Sequence, residues 1–416
     1  MSEILNVPDG WEVEKLGIIA KFKGGDGFSE EYQGLSIGDF PFLKVSDMTS
    51  VGNEKYISVS NNYINQDIQK NMKYTIFPKD TIVFAKVGAA LLLNRRRILS
   101  RQSIIDNNMM GMIVKNNFDL RYMYFIMLSI DFADYVQTGA LPSINQANIA
   151  NINILIPKQK KEQEKIAKIL STLDKTIEST NLIIEKEKNI KKALMQKLLS
   201  HGTDQNGKIR SPKTHTYKET ELGLIPQEWE VVSLKEVTKA QQGLQIAITD
   251  RKNNMSFNSH PYITIQYLKN NKAVEYIENP KKSVVCGFED ILMTRTGNTG
   301  VIITNVSGVF HNNFFLINFD RKKIDKTFFI YFLESPKVQL EIELKAGVTT
   351  IPDLNHGDFY SINFMMIDID EQKQIAEILT TQDKKIEKET TNLNKLKELK
   401  KGLMNDLLSG KVRVKV

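Results

Sequence analysis

Apolar residues recur at alternating intervals of four and three positions in two long stretches of this chain. In the first stretch they are Ile166, Leu170, Leu173, Ile177, Ile184, Leu194 and Leu198, and in the second Ile375, Leu379, Ile386, Leu393, Leu396, Leu403 and Leu407. This period predicts one long amphipathic helix in each stretch. A helix of about 40 residues is a rod of roughly 60 Å, which is longer than a small domain is wide. We therefore favour a seam between two helices over packing against one domain core.

The two stretches are copies of one another. The segment from Glu162 to Ser200 recurs without a gap, 209 positions later, from Glu371 to Ser409. The openings of the two halves also match, because Trp11 and Trp229 both follow a proline and begin the triplet Trp-Glu-Val. A repeat of about half the length predicts two similar modules in one chain.

Polar residues interrupt the predicted seam and separate the modules. We expect those inside the seam to weaken it and to fix its register, and a partner to supply further helices. They are Glu187, Lys191, Gln382, Glu389 and Lys400. Between the modules, residues 201–221 have no hydrophobic period and read as a linker.

Outside the helices, each half reads as short alternating strands with one helical stretch near its end, which predicts an α+β domain. We place the domains at 1–157 and 222–366, a helix at 158–200, and the second helix with a tail at 367–416. The strand candidates are Tyr74–Phe77, Thr81–Lys86, Met110–Val114, Tyr262–Ile265, Asp290–Arg295 and Phe314–Phe319, and the helix candidates are Leu120–Tyr135 and Lys326–Lys345.

Two features at the start of each module invite a functional interpretation but favour a structural one. The tryptophans suggest base stacking, yet each precedes an apolar run, so core packing is the favoured role. The repeated Glu-Gln pair at Glu162 and Glu371 is suited either to contact with partner subunits or to the junction itself, and we favour the junction.

Composition narrows the class of protein. The 416 residues include 56 Lys and Arg against 49 Asp and Glu, a net charge of +7, which favours a polyanionic partner without demanding one. The single cysteine, Cys286, has no partner for a disulfide within the chain. No apolar run approaches the roughly 20 residues that span a bilayer, and the start lacks a signal peptide. We therefore expect a cytoplasmic protein that binds no membrane.

Motifs for catalysis are missing from the sequence. There is no Pro-Pro pair, which the catalytic motif of an adenine methyltransferase needs, and no phosphate-binding Gly-(x4)-Gly-Lys-Ser/Thr loop. One cysteine and five scattered histidines do not have the spacing of zinc ligands. We expect no catalytic residue and no metal site in this chain.

The duplicated Trp-Glu-Val opening and the repeated Glu-Gln-(x)-(x)-Ile-Ala-(x)-Ile-Leu helix start resemble the DNA-specificity subunit of type I restriction-modification systems. The resemblance covers nearly the whole chain. It implies an α+β fold with two similar target-recognition domains, separated by two long antiparallel coiled-coil helices in a pseudo-twofold repeat.

The same resemblance implies partners. Each variable domain would bind one half of a bipartite site in double-stranded DNA. Two methyltransferase subunits would act on adenine, and restriction subunits that translocate DNA would join them. S-adenosylmethionine, magnesium and ATP would then be held only by those partners. A rigid helix pair would set the distance between half-sites.

Clustered cations suggest where the DNA contacts lie. In the first domain Arg95, Arg96, Arg97, Arg101 and Lys86 suit phosphate binding or guanine readout, although a solvated loop is the alternative. In the second, Arg295, Thr296 and Asn298 leave a strand into a glycine-containing loop. Lys44 and Thr264 form an equivalent pair, each three residues after a proline. Residues 86–88 align with 295–297 only with a shift of one residue, according to the sequence comparison.

Two other classes of protein remain open. A coiled-coil adaptor that joins proteins and touches no DNA would also carry the two helices, and basic, unlike loops on matched scaffolds count against it. A nuclease or methyltransferase fused to its own reader is disfavoured by the missing motifs. The sequence therefore favours a non-catalytic DNA-recognition subunit.

Overall fold

We describe residues 7–136, 141–270, 274–347 and 350–415 of a computed structural model. The chain divides into two units, Met1–Leu182 with Thr391–Val416 (unit 1) and Ile183–Thr390 (unit 2). Each unit therefore contains one α+β domain and one half of each long helix. No helix among these residues is long and apolar enough to cross a membrane.

Unit 1 is built on short strands that form three sheets. The strands are β1 (Trp11–Lys15), β2 (Ala20–Gly24), β3 (Phe40–Leu43), β4 (Tyr56–Ile57), β5 (Tyr63–Ile64), β6 (Ile82–Ala85), β7 (Arg96–Leu99), β8 (Ile104–Ile105), β9 (Met109–Val114) and β10 (Asn153–Pro157). The largest sheet has the order β2-β9-β6-β7-β4, and smaller ones are β5-β3-β8 and β1-β10. The pairs β3–β8 and β4–β7 are parallel and the others antiparallel.

Short helices alternate with these strands in unit 1, and one long helix follows them. The helices are α1 (Leu16–Ile19), α2 (Gln66–Met72), α3 (Ala89–Leu92), α4 (Leu120–Ser129), α5 (Gln146–Ala150) and the long α6 (Lys160–His201), which continues into unit 2. The core joins Trp11, residues 122–127 of α4 and the apolar face of α6 at Ile166 and Leu170. Because α4 is apolar on most sides, it is buried almost all round.

Unit 2 repeats this plan with its own strands and helices. The strands are β11 (Tyr217–Thr220), β12 (Gly223–Pro226), β13 (Glu230–Ser233), β14 (Thr238–Gln242), β15 (Ser259–Ile263), β16 (Tyr276–Glu278), β17 (Val285–Cys286), β18 (Leu292–Thr294), β19 (Ile302–Ile303), β20 (Gly308–Phe310), β21 (Phe314–Phe319) and β22 (Asn363–Met366). The helices are α7 (Leu234–Val237), α8 (Ile265–Asn270), α9 (Lys326–Leu333), α10 (Pro336–Ala346), α11 (His356–Tyr360) and α12 (Ile369–Leu408).

The sheets of unit 2 are β14-β21-β18-β19, β16-β15-β20-β17, β13-β22 and the hairpin β11-β12. The parallel pair β15–β20 corresponds to β3–β8 of unit 1. The core of unit 2 joins Trp229, the aromatic residues of α9 and the apolar residues Ile375 and Leu379 of α12.

The long helices run antiparallel inside each unit, and ion pairs join the two helices along their seam. In unit 1, Asp174 of α6 accepts bonds from Lys400 of α12 at 2.6 Å and from Lys55 at 2.9 Å. In unit 2, Asp383, which is 209 positions after Asp174, accepts bonds from Lys191 at 2.6 Å and from the Tyr331 hydroxyl at 2.7 Å. The same repeated Asp and Lys thus fix the helix register in both units.

Three predicted elements differ from the sequence prediction. Residues 74–77 form no strand, and Phe77 makes only an isolated bridge to Ser103. The predicted helix at 326–345 is two helices, because Pro336 has no N–H to donate and begins α10 with Ser335 as its cap. The predicted helix at 120–135 stops at Ser129 and is followed by a 3-10 turn.

The repeated glutamates are buried at the junction of each helix with its domain, as predicted. Glu162 is 2% exposed and accepts hydrogen bonds from the Trp11 indole at 3.2 Å and from Arg413, which follows α12, at 2.7 Å. Glu371 accepts bonds from the Trp229 indole at 3.3 Å and from Arg210, which follows α6, at 2.6 and 3.0 Å.

We call these two groups the Trp-Glu-Arg clusters. Both tryptophans are core residues, 3% and 1% exposed, so the stacking role is not supported.

The segment at 201–221, predicted as a linker, contains Arg210 and the strand β11 as well as exposed polar residues.

Candidate nucleic-acid interface

Loops from four strands meet at one edge of the unit 1 domain. Gly25, which follows β2, donates its N–H to the Met109 carbonyl, and Lys86, which follows β6, donates to the Asn108 carbonyl at 2.8 Å. Asp106, which follows β8, donates to the Leu43 carbonyl at the end of β3. We call residues 25–27, 44, 86–88 and 106–108 the first loop edge.

Unit 2 builds the same backbone framework at its own edge. Gly243 donates to the Phe314 carbonyl, Arg295 to the Asn313 carbonyl at 2.7 Å, and His311 to the Ile263 carbonyl at 3.0 Å. Residues 243, 264, 295–297 and 311–313 form the second loop edge. The elements that meet are the ends of β14, β15, β18 and β20, which correspond to β2, β3, β6 and β8.

Backbone pairing gives the residue correspondence between the edges. Lys86 accepts from Ile144 and Gly88 donates to Pro142, while Arg295 accepts from Leu354 and Gly297 donates to Pro352. Lys86 is therefore equivalent to Arg295 with no shift, and the shift of one residue expected from the sequence is wrong.

A glycine is required where the backbones come closest. A Cβ atom on Gly25 would lie 2.1 Å from the Asp106 carbonyl oxygen, and one on Gly243 would lie 2.2 Å from the Phe310 carbonyl oxygen. Neither partner is a flexible side chain, so any other residue would push the strands apart. The turn at the start of each edge is thus fixed by sterics.

Side chains at equivalent positions of the two edges differ in chemistry. In the first edge Lys44 donates to Gln33 at 2.7 Å, and Asp106 is 9% exposed, so burial raises the pKa of its carboxyl group. In the second edge Thr264 and His311 replace them. Burial lowers the pKa of His311, whose Nδ1 accepts a bond from the Asn313 N–H.

Lys86 and Arg295 present different cations at one position. Among the described residues, no hydrogen bond or ion pair holds the Lys86 ammonium group. Arg295 is fixed by Asp353 at 2.6 Å, by the Leu354 carbonyl and by stacking over the Phe315 ring. Its Nη1 group makes none of these bonds. A point charge without a described partner in one edge thus corresponds to a guanidinium held by three contacts in the other.

The remaining predicted residues of the second edge have partly structural roles. Thr296 donates to Asp353 at 2.5 Å, and the Thr264 hydroxyl accepts from the Tyr267 N–H at the start of α8. Asn298 is exposed at the tip of the loop, where its carbonyl accepts from Thr294. Thr264 is therefore a helix cap, which leaves its hydroxyl hydrogen as the group it can offer a ligand.

The arginine cluster of the first domain is not one patch. Strand β7 begins at Arg96, and successive side chains of a strand point to opposite faces. Arg96 is 1% exposed, stacks over the Phe132 ring at 3.8 Å and donates to Asn94 and to the Ile130 carbonyl. Burial lowers its pKa to about 10. As a DNA contact Arg96 is a wrong prediction, because its guanidinium is a core group.

The other cluster members lie nearer the surface. Arg97 is half-buried and donates to the Met48 carbonyl, and burial lowers its pKa. Arg101 is exposed and donates to the Asp39 carbonyl at 2.6 Å. Arg95 is half-buried, with no hydrogen bond or ion pair among the described contacts. These three stay candidates.

We expect alanine substitutions of Arg95 and Arg96 to differ in their effect on the stability of the protein. Arg96→Ala should lower the free energy of unfolding of the protein by about 3 kcal/mol, because it opens space beside Phe84 and Phe132 and leaves the part-buried Ile130 carbonyl without its donor. Arg95→Ala should leave it unchanged. Denaturant titration checks both variants. A stable Arg96→Ala protein with weakened DNA binding would return Arg96 to the interface.

The side-chain acceptors and amides of the edges were not among the residues predicted from the sequence. A groove of about 570 Å³ in the first edge is lined by Gln33, Lys44, Asp106 and Asn107 together with Phe28 and Met72. Asn107 and Asn312 occupy matching positions in the two halves of the sequence, and this match could have identified them as candidates. No cluster of three or more metal-ligating side chains occurs in the parts of the chain described above.

Comparison with known proteins identifies the family. The family model for the type I restriction modification DNA specificity domain matches residues 8–188 and 226–398, so the chain belongs to that family. Its specificity subunits are non-catalytic components of restriction-modification complexes. The resemblance, the fold class and the expectation of a non-catalytic chain are thereby confirmed.

Similar proteins span the whole chain. The MjaVIII specificity subunit of Methanocaldococcus jannaschii is 26% identical over 99% of this chain and 95% of its own length, and the putative MjaX specificity subunit of the same organism is 26% identical over 100% and 96%. The solved S subunit from M. genitalium has a TM-score of 0.57 at 16% identity, covering 98% of this chain and 99% of its own.

Proposed function

We propose that this chain reads a bipartite DNA site, with each loop edge recognising one half. The observation that carries the proposal is the repeated backbone framework with unlike side chains. Equal frameworks would suit both edges to equivalent parts of two half-sites, while the pairs Lys86/Arg295 and Asp106/His311 would present different donors and acceptors to the bases.

The residues divide into two kinds of contact. Lys44, Lys86, Arg95, Arg97 and Arg101 supply cations for phosphates and purine edges in the first half-site. Arg295 presents a fixed guanidinium suited to a bidentate contact with guanine, and Thr296 and Asn298 flank it in the second. Asp106 and His311 are added to the set because they lie at equivalent backbone positions of the edges.

The partners and the domain division belong to the same proposal. The domains at 1–157 and 222–366 read DNA. The helices set the spacer between the half-sites and dock two methyltransferase subunits. The complex directs adenine methylation or, together with translocating subunits, restriction. S-adenosylmethionine, magnesium and ATP are bound by those partners. The charge of +7 and the paired seam support this reading.

The test is to express the chain with the methyltransferase encoded beside it and to map N6-methyladenine in host DNA by single-molecule sequencing. A split motif with adenines on opposite strands, present only with this chain, supports the proposal. The adaptor alternative predicts no methylation that depends on this chain when the methyltransferase is active with its proper subunit.

Single substitutions should relax one half of that motif. Arg295→Ala should reduce discrimination in the half read by unit 2 by about 1–3 kcal/mol per base pair contacted, while the other half stays intact. Lys86→Ala should act on the opposite half. Lys322→Ala is the matched control, because this exposed cation of unit 2 follows β21 at the end of that strand opposite the second loop edge. Equal relaxation of both halves by Arg295→Ala would contradict the assignment.

A further inference from the structure

A groove of about 780 Å³ on unit 1 is lined by cations that the loop edge does not use. Arg121 from α4 and Lys161, Lys165, Lys168 and Lys175 from α6 form it. All five residues are exposed. Among the described lining residues, Glu164 is the only carboxylate, so the groove carries a net charge of +4. We call it the basic groove.

The α6 cations form a straight row. Positions 161, 165, 168 and 175 lie on one side of an α-helix and extend over about 21 Å. The apolar side of the same helix is buried in the unit 1 core at Ile166 and Leu170. Arg121 lies 4.0 Å from Asp119 and Lys165 donates to the Lys415 carbonyl, whereas Lys161, Lys168 and Lys175 make no ion pair among the described residues.

The equivalent surface of unit 2 does not carry this charge. Asp119 and Asp325 cap α4 and α9, and their N–H groups donate to the side-chain oxygens of Gln163 and Gln372. Arg121 is therefore equivalent to Thr327. The helix repeat gives the other counterparts as Asp370, Lys373, Gln374, Glu377 and Lys384. Two cations against two carboxylates leave no net charge. The repeat has kept the buried side of the helix and changed the exposed one.

The basic groove lies at the end of the sheet that is opposite the first loop edge. Strand β9 starts at Met109 beside that edge and ends at Val114, and the chain then turns into α4. Lys160 of α6 donates to the Asn116 carbonyl in this turn. Six strand residues span about 17 Å. A duplex bound at the first loop edge would therefore lie at the end of the domain away from the basic groove. This favours a protein as the ligand of the groove.

We propose that the basic groove docks an acidic face of the methyltransferase subunit that joins unit 1, and that the second copy of this subunit joins unit 2 without such a contact. The inference rests on the proposed function for the identity of the partner. Five cations that face carboxylates accelerate association, and salt weakens the attraction between them. A neutral surface gives neither effect. Two identical subunits are thus bound with different dependence on ionic strength.

The test uses the complex with both methyltransferase copies. Lys168→Glu with Lys175→Glu reverses two charges of the groove, and Lys384→Glu with Lys388→Glu makes the same change on exposed α12 positions of unit 2. Native mass spectrometry at increasing ionic strength gives the number of methyltransferase copies. The groove variant should lose one copy at low salt, with affinity reduced about tenfold or more, and the control should retain both.

Other outcomes overturn the inference. Two copies retained by the groove variant, with the salt response of the wild type, would exclude docking there. Unchanged stoichiometry with weaker, less salt-dependent DNA binding would make nucleic acid the ligand instead. Lys168→Gln with Lys175→Gln repeats the test without introducing carboxylates. A wild-type complex that gives no methylation motif contradicts the proposed function, whereas a normal motif with two copies retained contradicts only this inference.

Discussion

Arg210→Ala is expected to lower the free energy of unfolding of this protein by about 3–5 kcal/mol, because it leaves the carboxylate of Glu371 buried without its cation. The Arg210 and Glu371 side chains are each 10% exposed, and the guanidinium makes two bonds to the carboxylate at 2.6 and 3.0 Å. Few solvent molecules can replace those bonds. The remaining donors, the Trp229 indole and the Thr203 N–H, are neutral.

The repeat supplies the matched control for this prediction. Arg413→Ala removes the equivalent cation from Glu162, but the Arg413 side chain is 40% exposed, so water substitutes for it more easily. We expect a loss of about 1 kcal/mol there. Denaturant titration gives both values, and hydrogen exchange at the two helix starts shows where each loss falls. Equal losses would show that the exposure of the arginine does not govern the strength of the cluster.

The Trp-Glu-Arg clusters show which features of the fold can be predicted from short stretches of sequence and which cannot. The period of the apolar residues is a local pattern, and together with the 209-residue repeat it places α6 and α12 within two residues of their observed starts. That Arg210 and Arg413 would meet the two glutamates depends on contacts between distant segments. No spacing in the sequence connects residue 162 with residue 413.

The candidate site shows the same division. Three adjacent arginines look like one cationic patch in the sequence, but the alternation of a strand separates them and the aromatic pocket of Phe84 and Phe132 buries Arg96. Conversely, Asp106 and His311 differ in residue type, so only the neighbouring Asn107 and Asn312 indicate their equivalence in sequence, and the backbone bonds establish it. Sequence identifies the charged residues, and the tertiary structure decides which of them face a ligand.

Gly25→Ala is expected to abolish recognition of one half-site while the other half is still read. The new Cβ atom would meet the Asp106 and Ile105 carbonyl oxygens at 2.1 and 2.2 Å, so β2 and β8 must separate and the first loop edge must lose its shape. Specific binding exceeds non-specific binding by about 4–10 kcal/mol, so losing one of two halves should remove about 2–5 kcal/mol.

Gly27→Ala is the control within the same loop, because a Cβ atom there meets nothing within 4 Å. Gly243→Ala is the reciprocal variant, with its Cβ atom 2.2 Å from the Phe310 carbonyl oxygen, and should abolish the half-site of unit 2. Competition binding with DNA duplexes that carry one intact and one scrambled half measures each loss separately. If Gly25→Ala weakened both halves equally, the effect would be on the stability of the chain, and the loop edges would not be independent readers. A loss confined to one half by each glycine would tie the repeated framework directly to the split form of the DNA site.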